Sequence, residues 1–127
     1  MPGVIIPIES KTEQNQYFRQ VLTTTTHLQV VVMCLKPSED IGLETHADVD
    51  QFLRIESGEV SVVLDGQEQT AKAGDAIIVP AGVEHNVVNR STQSLAKIYT
   101  IYSPPQHRDR TIHKTKAEAI ADKTDHA

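Results

Sequence analysis

The chain has 127 residues, 39% of them hydrophobic and 23% charged, with a formal charge of −5. That length fits one domain around one small core, and the composition excludes a disordered chain or a coiled coil. A net negative surface and only five aromatic residues make nucleic acid and anionic membrane poor partners.

Val, Ile and Thr account for 36 of the residues, and branched side chains favour strands because they pack well on a pleat. Residues 1–16 read as an arm, polar from Glu9 onward. The opening stretch 1–11 has no basic region before its short apolar segment, so no secretory signal is expected, and no apolar run reaches the length of a membrane span. Strands are predicted over 20–25 and 28–35, and Pro37 with its acidic neighbours breaks the second. A short strand over 43–46 and an alternating one over 51–56 follow. Asp65-Gly66 is a two-residue hairpin signal between strands 60–64 and 67–72. Further strands are expected over 76–79, 84–89 and 95–102, separated by the Ala73-Gly74-Asp75 and Pro80-Ala81-Gly82 turns. Turns this regular indicate an all-β sandwich or barrel. The only helix expected lies in the tail, over 115–121, with Thr115 as its cap. The single cysteine, Cys34, sits in an apolar run and reads as a buried structural thiol in a cytoplasmic protein without disulfides.

The histidines are best read by spacing. Residues two apart in a strand face one side, so Glu44 and His46 point together, and neither is easily buried alone. Gln51 opens the alternation Gln51, Leu53, Ile55, and His85 opens His85, Val87, Asn89. Any one of these has an ordinary surface or hydrogen-bonding explanation. Jointly, two imidazoles, a carboxylate and an amide oxygen inside a small barrel suit a divalent transition metal. His27 and His126 have no such setting. His107 and His113 share a segment with Arg108, Arg110 and Lys114 and read as a solvated basic tail; the alternative is an arm folded over the barrel mouth or a neighbouring subunit.

The spacing Gly74-x5-Pro80-x-Gly82-x2-His85-x3-Asn89 fills every position of the second motif of the cupins. Their first motif, His-x-His-x3–4-Glu-x6-Gly, is met with departures: anchored on Gly58, it puts Gln51 at the glutamate, His46 at the second histidine and Glu44 at the first. The chain therefore resembles a cupin over about residues 18–103. Residues 46–52 and the tail 102–117 are similar to a group of stand-alone, single-domain small cupins, largely uncharacterised. The resemblance implies a double-stranded β-helix (cupin) barrel with a short C-terminal helix, a single domain flanked by an N-terminal arm (1–16) and a C-terminal arm (104–127), and a homodimer. Phe52, Arg54 and Glu56 face away from the interior, and an exposed Phe52 suits the subunit contact.

The resemblance also implies a ligand set of Glu44, His46, Gln51 and His85. The usual three imidazoles and one carboxylate carry a charge of −1, and this set keeps that charge by moving the carboxylate to another corner. With two imidazoles where the usual set has three, the site holds Cu and Zn less firmly than usual, and Mn, Fe, Ni, Co and Zn all remain candidates. Two function classes are open. One is a binding protein for metal and a small molecule; the other is a metal-dependent enzyme, either a dioxygenase or a sugar(-phosphate) isomerase-like one. No second acid–base constellation is evident, and of Tyr99 and Tyr102, three apart, at most one points inward.

Overall fold

The computed structural model describes residues 2–125. In chain order it contains α1 (Ile8–Gln14), β1 (Arg19–Thr24), β2 (Gln29–Leu35), β3 (Asp50–Ser57), β4 (Glu59–Leu64), β5 (Gln67–Lys72), β6 (Ala76–Val79), β7 (His85–Val88), β8 (Ala96–Ser103), β9 (Ile112–His113) and α2 (Lys116–Ala121). The strands form two antiparallel sheets, ordered β6-β3-β8-β2-β1-β9 and β5-β4-β7. Among the described residues no helix is long and apolar enough to cross a membrane.

Strict alternation places the core. In β3, Gln51, Leu53 and Ile55 are buried while Phe52, Arg54 and Glu56 are partly exposed. The register carries this inward face across the sheet, Leu53 opposite Thr100 on β8 and Thr100 opposite Val31 on β2. Val60, Val62, Ala71 and Val87 of the smaller sheet close the core from the other side. The hairpin at Asp65-Gly66 forms as expected, joining Leu64 to Gln67. Gly58 lies between β3 and β4 with φ +93, and a Cβ there would come within 2.8 Å of the Leu95 carbonyl oxygen. That close approach explains why the first motif ends on a glycine.

Three expectations are corrected. Residues 8–14 form a helix, where the sequence indicated only a polar arm. Its one buried residue is Thr12, whose hydroxyl bonds the Ile8 carbonyl. A single inward residue leaves no apolar periodicity to read, and the helix rests on its packing against β8, β3 and β2. Residues 43–46 do not form a strand; Glu44 makes one isolated bridge with His85. The segment after Pro104-Pro105 is no solvated tail. His107 and His113 are buried at 7% and 3% exposure because Asp122 and Asp125 of the same segment meet their rings. The tail helix is present and capped by the Thr115 hydroxyl, which accepts from Glu118. Phe52 is half-buried, its ring tilted 6.2 Å from that of Tyr99 on the outer face.

Candidate metal centre

His85, Glu44 and His46 are set by backbone hydrogen bonds, although two of them lie outside any strand. Glu44 and His85 exchange both N–H···O bonds at 2.9 Å, so that one residue of the β2–β3 connection is fixed beside the start of β7. The His46 carbonyl accepts from Gly82 N–H at 2.8 Å, and the Asp50 carboxylate accepts from Ala81 N–H at 2.8 Å. The Pro80-Ala81-Gly82 turn thereby holds both ends of the segment that carries His46. Gln51 is placed by β3 itself, on its inward face and opposite Tyr102.

Glu44, His46 and His85 each offer a ligand atom, and these three atoms lie within 4.8 Å of one another. The His46 and His85 ring centroids are 5.3 Å apart. A Glu44 carboxylate oxygen sits 3.1 Å from His46 Nε2, an ion-pair contact that leaves that nitrogen without a geometrically formed hydrogen bond. His85 Nδ1 is 3.0 Å from the Val83 carbonyl. Donation there fixes the tautomer with a lone pair on Nε2, the usual way a protein prepares an imidazole for a metal. Gln51 donates its amide N–H to the Thr100 hydroxyl at 3.0 Å. Its other end, Oε1, is left without a partner.

The unsatisfied atoms are the decisive pattern. Among the described residues, five buried side-chain nitrogen or oxygen atoms lack a hydrogen-bond partner, and three of them are His46 Nε2, Gln51 Oε1 and His85 Nε2. A buried polar atom left unpaired costs roughly 1–3 kcal/mol, so folded chains rarely gather several on residues that share one interior. A cation would satisfy all three. Access is from one side: Gln51 and His85 are 3% and 2% exposed, while the Glu44 side chain is 34% exposed. Burial pushes the Glu44 carboxyl up, but the rings of His46 and His85 and the charge of Arg19 outweigh it and hold it below the usual range. Glu44 is thus anionic at neutral pH.

The profile of the Cupin domain family matches residues 31–102. The chain belongs to the cupin family. Both motif regions lie inside that span, and Asn89 illustrates why the second motif ends as it does. Its buried amide donates to the carbonyls of Leu35, Lys36 and Ser94, tying the end of β2 to the β7–β8 connection. This cupin is 45% identical over 123 residues to the uncharacterized protein YrkC of Bacillus subtilis (strain 168), covering 92% of this chain and 66% of that one. It is 41% identical over 107 residues to the uncharacterized protein L612 of Acanthamoeba polyphaga mimivirus, covering 81% and 66%. The chain therefore spans just under two thirds of both curated relatives. The crystal structure of BH2720 from Bacillus halodurans superposes with a TM-score of 0.92 at 41% identity, covering 96% of each chain. The two sheets are the double-stranded β-helix of these proteins, with the short helix at the C-terminal side.

What surrounds the ligands comes from β8 and the C-terminal segment. Tyr102, fully buried, presents its ring edge to His46 with centroids 6.1 Å apart. Tyr99 faces the other way, as the spacing required. The Tyr102 hydroxyl lies 3.3 Å from His107 Nε2, and His107 Nδ1 lies 2.8 Å from Asp125 Oδ2. Burial raises the Tyr102 phenol well above its ordinary value, with Arg19 opposing. Burial also lowers His107, against the pull of Asp125. Inward parity along β8 identifies Tyr102 in the sequence; no local signal identifies Asp125.

Proposed function

We propose that the chain holds one divalent transition metal through Glu44, His46, Gln51 and His85 and binds a small molecule there. The reading rests on one observation: three of those four residues carry the unsatisfied buried atoms at the interior site. Two nitrogens and two oxygens, with one negative charge among them, form a borderline-hard donor set suited to Mn, Fe, Co, Ni or Zn. Four protein ligands would leave room for a further ligand on a bound metal, and the exposed edge at Glu44 is where that ligand would enter. When bound, the metal supplies Lewis acidity toward an oxygen of that ligand. Binding is the primary role in this reading, in a cytoplasmic protein assembled as a homodimer.

A second reading, a metal-dependent enzyme of dioxygenase or sugar(-phosphate) isomerase-like type, is favoured by the Tyr102–His107–Asp125 chain. It places a phenol, an imidazole and a carboxylate in hydrogen-bonding order beside the ligands, the groups that proton transfer needs.

Metal analysis of protein purified without chelator tests the first reading. We expect about one metal per chain, and at least a tenfold loss of affinity in His46→Ala and His85→Ala. Glu44→Gln weakens binding by removing the only anion, whereas Gln51→Glu keeps or raises it. Equal losses in the last two variants would mean that both residues act through packing. Oxygen uptake with and without added Fe(II) then separates the classes: consumption with a substrate supports the oxygenase, and bound metal without consumption leaves binding or isomerisation.

A further inference from the structure

The largest cluster of buried charge outside the metal ligands sits where the C-terminal segment meets β1. Arg19 opens β1 and is 5% exposed, His107 7%, Thr111 8%, His113 3% and Asp125 7%. The Asp125 carboxylate lies at the centre of this cluster. One oxygen, Oδ2, lies 2.8 Å from His107 Nδ1, 3.8 Å from Arg19 Nη1 and 4.0 Å from His113 Nε2. The other, Oδ1, accepts from the Arg108 backbone N–H at 3.2 Å and lies 3.2 Å from the Thr111 hydroxyl, whose one proton goes to the Arg108 carbonyl at 2.6 Å. Asp122 takes the near side of His113 Nε2 at 3.0 Å, and Arg19 Nη1 meets His113 Nδ1 at 3.2 Å.

Around one –COO⁻ group stand the donors a carboxylate needs: the His107 ring and the Arg108 backbone amide hydrogen-bond it, and the Arg19 guanidinium supplies positive charge beside it. Two features indicate that its occupant is not permanent. Arg19 Nε is buried and has no partner among the described residues, so the guanidinium is only partly used by Asp125, and its one contact with that carboxylate is long. The carboxylate itself arrives on a thin strand of chain. Lys123 and Thr124 beside it are exposed, and after Ala121 no helix or strand holds the segment down.

We propose that Arg19, His107 and the Arg108 amide form a carboxylate-binding site, with His113 holding the guanidinium in place, which Asp125 fills as a tethered occupant and which a free small carboxylate fills when the segment over 122–125 lifts. A tethered group competes at an effective concentration in the millimolar range. Free carboxylates below that level leave the tail seated, and those above it displace the tail. His107 carries the difference to Tyr102 and so to the wall of the metal centre. The site is independent of metal binding and is testable on metal-free protein.

The experiment compares sodium acetate with sodium chloride at equal ionic strength. Asp125→Ala lowers the thermal midpoint and opens the pocket. Acetate at about ten times its dissociation constant then raises that midpoint by about 4 °C over chloride, and the increment disappears in the Arg19→Gln, Asp125→Ala double variant. An equal effect of chloride, or an increment that survives without Arg19, overturns the site. Should Asp125→Ala not fold, Asp125→Ser, which also vacates the place of the carboxylate, serves instead. In the unmodified protein, trypsin cleavage after exposed Lys123 accelerates as acetate passes the millimolar range and not with chloride. Cleavage indifferent to acetate would make Asp125 a fixed structural pin and overturn the displaceable occupant.

Discussion

An amide side chain has two unlike ends, and at Gln51 a neighbouring hydroxyl decides which end faces inward. The amide N–H donates to Thr100, itself fully buried, which leaves Oε1 as the end offered to a cation. Thr100→Val removes that constraint, and the amide is then free to turn its N–H toward the site, where it repels a metal. We expect about a tenfold weaker metal affinity in Thr100→Val by competition with a chelator. In a Gln51→Glu background the same change has little effect, because the two oxygens of a carboxylate are equivalent. A loss of equal size in both backgrounds would assign Thr100 to packing. At this scale the sequence was informative where periodicity or motif spacing applied: Glu44 and His46 two apart, His85 and Gln51 each opening an alternating strand. It was silent on Thr100, Arg19 and Asp125. Their roles depend on which strand lies opposite and where a distant segment returns, and no local pattern encodes either.

Among the connecting elements, the turn over residues 80–82 does the most to build the site. Gly82 has φ +83, and a Cβ there would meet nothing within 4 Å, so substitution strains the backbone without a clash. Gly82→Val is expected to cost about 2 kcal/mol and Gly82→Ala about 1 kcal/mol, with Gly82→Asn the mildest because Asn tolerates the left-handed region. Thermal denaturation that ranks the three in any other order would locate the turn's importance elsewhere. Metal affinity falls in the same order, since Gly82 N–H holds the His46 carbonyl. Strand and turn positions were legible to within a residue or two because alternation and glycine placement are local signals. The N-terminal helix was not, having a single inward residue. Segment 43–46 looked like a strand by composition, but only Glu44 finds a partner.

Across the molecule, the outer face of the larger sheet is divided in two. Helix α1 covers one end, where the Lys97 ammonium donates to the Asn15 carbonyl. The other end bears a cross-strand apolar row of Ile78, Phe52, Ile101 and Val30 on β6, β3, β8 and β2, with Ile78 59% exposed. Arg54 and Glu56 flank it on the same strand, 3.3 Å apart. A two-fold arrangement of such a face pairs its apolar row with itself. Small-angle scattering is accordingly expected to give a dimer at micromolar concentration, shifted to monomer by Phe52→Glu; a wild-type monomer would refute the contact. The overall architecture was legible because two motifs and the turn spacing agree on it. The folded-back C-terminal segment was not, since its histidines looked solvated until their carboxylate partners were seen.

That segment also sets an order of events during synthesis. A ribosome delivers Arg19 early and Asp125 more than a hundred residues later, a wait of roughly 5 to 20 seconds at ordinary elongation rates. Strands β2, β3, β6 and β8 can pair during that time. The guanidinium at position 19 cannot be buried without its carboxylate except at the cost of an uncompensated charge, so it stays hydrated. The last contact in closing this barrel therefore waits for Asp125, and a nascent chain halted before that residue keeps the Arg19 guanidinium hydrated at the start of β1.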